Sequence, residues 1–548
     1  MRRAYITLAA SALLAGCSLM GLDDGLTRET CSVDADCDDL NKSNPTGNAC
    51  SEWRCNAETS FCEALPFDGD GDAYPSASCA GEGDTPDCDD ENAERYPGNA
   101  ELCDNVDNDC DDSVDENLYS AGGAMRLTAL TSAGARHVHM SPVTSSDTVA
   151  VAYTDGGGAT GAQKVAFPSA TSTDSARTLA LEDESQSPIA LAASRDVMLT
   201  PMGNDFAAVI VPAGACQRGV TGITTENDAS LELTSAAFSA GIPKATDTCD
   251  ADTSSMSDPV ISALGTGALV AWVDRNDTNG PSATWDCDGA TSSNVLINLV
   301  EKSGNQLVPV NALALPLGTT SSPTPPAVVA VPGYGWVVAF ADDVEDAVLL
   351  YGVVDASGSL EVTDEPLASV ARSEGEFDGA LGDVTLAFTA TSESKVTLGV
   401  AFREGCSTSS AIHVRLVDFT PGDGTATLKE ADWVLGDKKA KHEVQRPSLA
   451  YLPSGGWFVA WEDASKVNTR TIQVRRLATT EAATADAPFE VIVGDDGDGT
   501  NRATGFGEGV LIRPQTDGTS LGVLTMATID DEPGIFGAVI ECTNEQPR

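Results

Sequence analysis

The sequence predicts an all-β chain, and three observations carry that prediction. From about residue 119 to the end, short apolar runs alternate with Gly, Asp, Ser and Pro turns. That is the rhythm of half-buried strands. No long segment with a 3.6-residue apolar period appears. One run also recurs, anchored at Tyr153, Val209, Trp272, Phe340, Phe402, Trp461 and Thr525, at intervals of 56 to 68 residues. Seven copies of a roughly 60-residue, four-strand unit predict a seven-bladed β-propeller. A small, mostly irregular, disulfide-rich N-terminal module precedes it.

Taken in order, the chain begins with Arg2 and Arg3 and an apolar run from Ala4 to Ala15, too short to span a bilayer as a permanent helix. The run ends in Leu14-Ala15-Gly16-Cys17, which resembles a bacterial lipobox. That resemblance implies cleavage before Cys17 and diacylglycerol on its thiol. Ser18 follows, where Asp is associated with inner-membrane retention, so an outer-membrane address is expected. Residues 1–17 are therefore read as a lipoprotein signal peptide and lipobox, and 18–30 as a tether. The mature chain is expected to be lipid-anchored in the outer membrane at the cell surface, with the periplasmic face as the alternative.

Export places the other 14 cysteines in an oxidising compartment, where they are expected to form disulfides. Cys31, Cys37, Cys50, Cys55 and Cys62 lie in a Cys-rich module over 31–65. There is no CxxC and no His among them, which argues against zinc. Five is odd, so one must stay free or reach elsewhere. Cys79, Cys88, Cys103 and Cys110 follow, with local pairing 79–88 and 103–110 expected. Cys216, Cys249, Cys287, Cys406 and Cys542 are again five. One bridge from the N-terminal region to the large domain would balance both counts.

Residues 66–118 are the most unusual. Between Phe67 and Glu116 there are 18 Asp and Glu against a single Arg, and few large apolar side chains. So little apolar surface cannot offset an ordering entropy of about 1–2 kcal/mol per residue. The carboxylates are spaced. Asp68, Asp70 and Asp72 alternate, with Tyr74 next in the row, and Asp107, Asp109, Asp111 and Ser113 repeat the rhythm. Alternate oxygen donors followed by a backbone carbonyl are how a loop wraps Ca²⁺, which takes about 6–8 oxygens. The twelfth positions are Cys79 and Leu118, so neither loop is an EF-hand. Closing ligands are expected from Asp87, Asp89, Asp90, Asp104, Asp115 and Glu116. The alternative is a solvated acidic linker.

The order DxDGDxY, Cys79, Asp87-Cys88-Asp89-Asp90, Pro97-Gly98, Glu101-x-Cys103-Asp104, Asp107-Asn108-Asp109-Cys110-Asp111 and Asp115-Glu116 resembles the MopE-type metal-binding motif of bacterial surface proteins. That motif is related in style to thrombospondin type 3 calcium repeats. The resemblance covers about 50 of 548 residues. It implies bound Ca²⁺ and surface exposure, and some members are associated with copper. Ala73 stands where the family usually has a second Gly, and Asn105 and Asp112 replace Gly at two turns. The first His in the chain is His137, and hard carboxylates suit Ca²⁺ better than copper.

Residues 119–548 are assigned to the propeller. Pro-led strands (Pro259, Pro326, Pro447) precede the recurring run, and a third and fourth strand close each unit. Met125–Leu130 is expected to complete the last blade beside Phe536–Glu541, removing the edge strands. Tandem β-sandwich domains are the alternative.

A formal charge of −52 argues against nucleic acid or anionic lipid headgroups as partners. No HExxH or P-loop pattern occurs. His137 and His139 form an HxH pair without a third ligand in view, and Asp496–Thr500 reads as a surface turn. Trp272, Trp336, Trp457 and Trp461 could stack on sugars, but their repeated positions read first as blade packing. The expectation is a non-catalytic binding or adhesion protein for a protein or glycan. A polysaccharide hydrolase or lyase, or a copper-acquisition protein, is the alternative.

Overall fold

The computed structural model describes residues 29–543 outside a set of segments between elements. The longest of these are 44–49, 130–135, 143–147, 155–159, 167–176, 183–193, 213–219, 226–232, 235–254, 276–292, 372–380, 437–443, 478–487 and 496–505. Cys17, Cys216, Cys249, Cys287 and the Asp496–Thr500 turn lie outside the described residues, as does His442. Among the described residues no helix is long and apolar enough to cross a membrane. The chain divides into two compact units, Met1–Asn99 and Ala100–Arg548.

The first unit is stapled rather than packed. A hairpin, Ser51–Asn56 with Phe61–Pro66, lies beside a short helix, Asp38–Ser43. Disulfides join Cys31 to Cys55, Cys37 to Cys62 and Cys50 to Cys79. The odd cysteine of the 31–62 group is therefore Cys50, and it reaches forward. This corrects the expected 79–88 pairing. Phe67 donates its backbone N–H to the Cys50 carbonyl at 3.0 Å, so the hairpin base and the acidic loop are neighbours and Cys79 meets Cys50 across them.

The second unit holds seven antiparallel sheets among the described residues. Their first strands are Arg136–Pro142, Ser194–Met202, Ser255–Leu264, Ala327–Val331, Leu381–Ser392, Val444–Leu452 and Phe506–Pro514. Each lies beside the next, and the last lies beside the first. The sheets are the blades of a propeller and are numbered 1 to 7 in that order. The first strands are bulged in six blades. In blades 3 and 6 the bulges at Ser257/Val260 and Gln445/Ser448 hold the leading prolines, Pro259 and Pro447. A bulge is where a strand tolerates a residue without an N–H.

The hydrophobic core lies between blades. One cluster joins Trp457, Val459 and Trp461 of blade 6 to Ile412, Val414 and Leu435 of blade 5. The next joins Phe458 and Ala460 of blade 6 to Val510, Ile512 and Ile540 of blade 7. Side chains of a strand alternate between its two faces, so each second strand packs against both neighbours. The repeated Val-Ala-aromatic run now has a physical reason. Trp272, Phe402 and Trp461 pack against the preceding blade. Phe340 does the same, closing on Gly318 of blade 3, where a Cβ would lie 2.8 Å from the ring. The adjacent small residues Ala271, Ala339, Ala401 and Ala460 face the following blade. Trp272, Trp336, Trp457 and Trp461 are all buried in this packing.

Blade 7 is completed from the start of the unit. Met125–Ala129 pairs with Glu532–Cys542, with Phe536 opposite Arg126, as the sequence predicts. Tyr119–Ala121 pairs with the far end of the same strand, Tyr119 opposite Cys542. Cys103 is bonded to Cys542 and not to Cys110. The expected local 103–110 pairing is wrong because Leu118 and Tyr119 enter the blade 6–7 core and carry Cys103 to the final strand. The bridge expected from the N-terminal region to the large domain is this one, but it starts at Cys103 of the acidic segment and not in the 31–62 group.

Candidate metal centres

In the first unit the row Asp68 to Tyr74 folds upon itself through its own backbone. Asp68 Oδ1 accepts from Gly71 N–H at 2.7 Å and Oδ2 from Ala73 N–H at 3.0 Å. Asp70 Oδ1 accepts from Asp72 N–H at 3.2 Å, and Asp72 Oδ1 from Tyr74 N–H at 2.8 Å. Such two-residue side-chain turns replace ordinary turn hydrogen bonds. They bring one carboxylate oxygen from each of Asp68, Asp70 and Asp72 within 4.8 Å of one another.

Asp87 joins them. It is 3 % exposed, its N–H donates to the Pro75 carbonyl at 2.9 Å, and its Oδ1 accepts from Asp89 N–H at 2.9 Å. The second oxygens of Asp70, Asp72 and Asp87 are buried and meet no hydrogen-bond donor. Burial, and then repulsion from neighbouring carboxylates, raises the pKa of Asp72 and Asp87. Buried oxygens without donors cost roughly 1–3 kcal/mol each, more when charged. A hard cation is the group that this donor set fits.

Other carboxylates expected as closing ligands have different partners. Asp89 accepts from Arg95 at 2.8 Å. Asp90 Oδ1 accepts from Gly69 N–H at 2.9 Å, and a Cβ at Gly69 would lie 2.5 Å from the Asp90 carbonyl oxygen. Arg54 is paired with Asp68 and Glu52 and sets one positive charge beside the row. Tyr74 stacks on Tyr96 with ring centroids 5.4 Å apart. Ala73 sits at φ +83°, the left-handed region that its missing glycine would occupy without strain.

In the second unit Glu101 organises the other row. It is 1 % exposed. Its Oε1 accepts from Asn108 N–H at 2.7 Å and Asp109 N–H at 2.9 Å, and its Oε2 from Asp115 N–H at 2.6 Å. Around it, oxygens of Glu101, Asp107 and Asp109 lie within 4.8 Å of one another, as do those of Asp109, Asp111 and Glu116. Asp109 Oδ1 accepts from Asp111 N–H and Asp111 Oδ1 from Ser113 N–H, repeating the turns of the first row. Burial, then repulsion from Glu101, Asp109 and Asp111, pushes Glu116 up to about 7. Its Oε2 is buried without a donor. Asp112, another position that replaces a family glycine, sits at φ +71°.

Asp104 and Asp115 are engaged elsewhere. Asp104 Oδ1 accepts from Val106 N–H at 3.0 Å. Asp115, fully buried, accepts from Asp104 N–H at 3.2 Å and from Arg476 Nη2 at 3.1 Å. The structure thus gathers Asp68, Asp70, Asp72 and Asp87 in one centre, and Asp107, Asp109, Asp111 and Glu116 in another. Glu101 is missing from the ligands expected from sequence. It lies outside the alternating rows, and nothing local marks its seven-residue reach forward to Asn108. The Cys31, Cys37 and Cys62 sulfurs also lie together, but all three are in disulfides and offer no thiolate.

Outside these rows, His413 is buried in blade 5 with both ring nitrogens against carboxylates. Nε2 lies 2.8 Å from Glu404 and Nδ1 3.3 Å from Asp432. Burial alone would lower its pKa, but the two carboxylates outweigh it and raise it to about 9. The side chains of His137 and His139 are not among those described.

No curated protein matches the chain. Among solved structures it is similar to a fucose-specific lectin from Aleuria aurantia, at 7% identity and a TM-score of 0.36, over 66% of this chain and 97% of the lectin. It is similar to an α-L-arabinofuranosidase from Fusarium graminearum at 6% identity and a TM-score of 0.37, over 77% of this chain and 98% of that one. The NanB sialidase from Streptococcus pneumoniae is similar at 8% identity and a TM-score of 0.35, over 64% of this chain and 68% of the sialidase. A family model named Cu-binding_MopE and described as "Putative metal-binding motif" matches residues 87–116. Residues 87–116 are a metal-binding motif of the MopE type.

Proposed function

We propose that this protein is a calcium-binding surface lipoprotein, anchored in the outer membrane through a diacylated Cys17, whose propeller is a non-catalytic platform for a protein or glycan. The observation that carries the calcium reading is the convergence of Asp70, Asp72 and Asp87 oxygens that are buried and meet no donor. The donors are carboxylates, with backbone carbonyls at hand and no imidazole, since the first histidine is His137. That set suits Ca²⁺ better than copper, although the matching family model carries copper in its name. Bound calcium would neutralise a self-repelling chain, so that binding energy becomes folding energy.

Two features support a binding role for the propeller. The repeated tryptophans are spent on packing between blades, and His413 is held between two carboxylates inside one. Calorimetric titration of the purified protein with Ca²⁺, Mg²⁺ and Cu²⁺ tests the metal. Calcium uptake is expected, with a Cu²⁺ preference overturning it. Release of sugar products from a polysaccharide panel would replace the platform by an enzyme. A Cys17→Ala variant is expected to leave the membrane fraction.

A further inference from the structure

We propose that the second acidic centre is a cation-operated latch on the last two blades of the propeller. This rests on the calcium reading above and names what the ion regulates.

The loop 101–116 is closed around a single carboxylate. Glu101 accepts from Asn108, Asp109 and Asp115 N–H groups, and the Asn108 side chain accepts from Leu102 N–H at 3.0 Å. The acidic side chains of Asp107, Asp109, Asp111 and Glu116 crowd the same small volume.

The far end of this loop is built into the propeller. Asp115 and Arg476 form an ion pair at 3.1 Å in which both side chains are nearly inaccessible to water. Arg476 lies on the third strand of blade 6, Thr469–Leu477. It also donates to the Val114 carbonyl, and to the Gly455 carbonyl at 2.6 Å. Its guanidinium lies over the Tyr119 ring, 5.4 Å from the centroid. The Leu118 carbonyl accepts from Thr543 N–H at 3.0 Å, and Tyr119–Ala121 adds a strand to blade 7. The Cys103–Cys542 bridge keeps the loop tethered whatever its shape.

Repulsion in the loop and closure of blade 7 are therefore coupled. With the acidic charges neutralised, Glu101 holds the Asp115 backbone and Asp115 holds Arg476. With them bare, the loop is pushed apart, and the contact it must surrender is Asp115 on Arg476. A buried arginine losing its partner is strongly unfavourable. Linkage requires the converse too: blades that hold Asp115 in place raise the affinity of the loop for the cation.

Hydrogen exchange on the full chain, with and without Ca²⁺ and with uptake measured by calorimetry on the same sample, tests this. Chelation is expected to speed exchange about tenfold in Tyr119–Ala121, Glu532–Cys542 and Thr469–Leu477, and to leave Ser255–Leu264 of blade 3 unchanged. An Arg476→Gln variant is expected to take up calcium yet lose this calcium-dependent difference. Should that variant fail to fold, Asp109→Asn with Asp111→Asn is expected to show the chelated pattern even in calcium. Calcium uptake with no change in those three segments overturns the latch and leaves the calcium reading standing. Absence of uptake removes both.

Discussion

Between Asp68 and Asp87 four carboxylates are drawn together by backbone N–H groups and disulfides, with hardly an apolar side chain beside them. Between blades 5 and 6, Trp457, Val459 and Trp461 meet Ile412 and Val414 because water is excluded from both. The first arrangement holds its parts against their own repulsion and is open to control by a cation, a proton or a chelator. The second answers first to volume and apolar area. One chain carries both kinds of order, and the ways to break it should differ accordingly.

The largest effect should come from the packed region. Trp272 is 1 % exposed between blades 2 and 3. Trp272→Ala should cost about 3–5 kcal/mol in urea unfolding, by the same amount with calcium as with chelator. A strong calcium dependence of that loss would show that the two regions are not separate in kind. Next comes the first acidic centre. Asp87→Asn keeps the side-chain shape and removes a buried charge. Calcium titration should show that site weakened by tenfold or more, about 1.4 kcal/mol, with urea unfolding of the blades unchanged.

pH separates the regions by window. Glu116 holds its proton to about 7 in the metal-free chain, above the ordinary 4.5. Calcium uptake at pH 6 should therefore release a proton, and affinity should fall as pH drops below about 7, measurable by titration in buffers of different ionisation heat. The same group favours the metal-free fold at low pH and loses that contribution as pH rises from about 4.5 to about 7. His413 has the same sign in a higher window. Its pKa is about 9 in the fold against an ordinary 6.5, so its contribution is complete below 6.5 and drains as pH rises through about 9. His413→Gln should flatten the alkaline limb of a melting-temperature profile and leave calcium uptake alone. The smallest effect is Ala73→Gly. Relief of a positive φ, offset by glycine's greater freedom when unfolded, should stabilise the first unit by up to about 1 kcal/mol. A loss instead would mean that the Ala73 methyl has a packing role.

Much of the propeller could be read before any coordinates. The recurring run marks the second strand of each blade, and Met125–Leu130 reads as the strand that completes the last blade beside Phe536. The direction of packing could not be read. That Trp461 turns to blade 5 while Ala460 turns to blade 7 depends on where each sheet sits relative to its neighbours. The acidic rows were legible as donors because two-residue spacing is a local property. The departures at Ala73 and Asp112 were legible too, since each stands where a glycine would allow positive φ.

What remained hidden was most of what joins distant side chains. Glu101 clamps Asp115 across fourteen positions, Arg476 meets Asp115 from 361 residues away, and Cys103 finds Cys542. Spacing and composition by themselves determined that these loops bear a dense, regular array of oxygen donors and that the rest folds into repeating strands. Only the tertiary structure decided which carboxylates face one another and which are claimed by an arginine or a backbone N–H. The physical reason is that a carboxylate has the same chemistry wherever it stands, while its partner is chosen by the folding of chain hundreds of residues away.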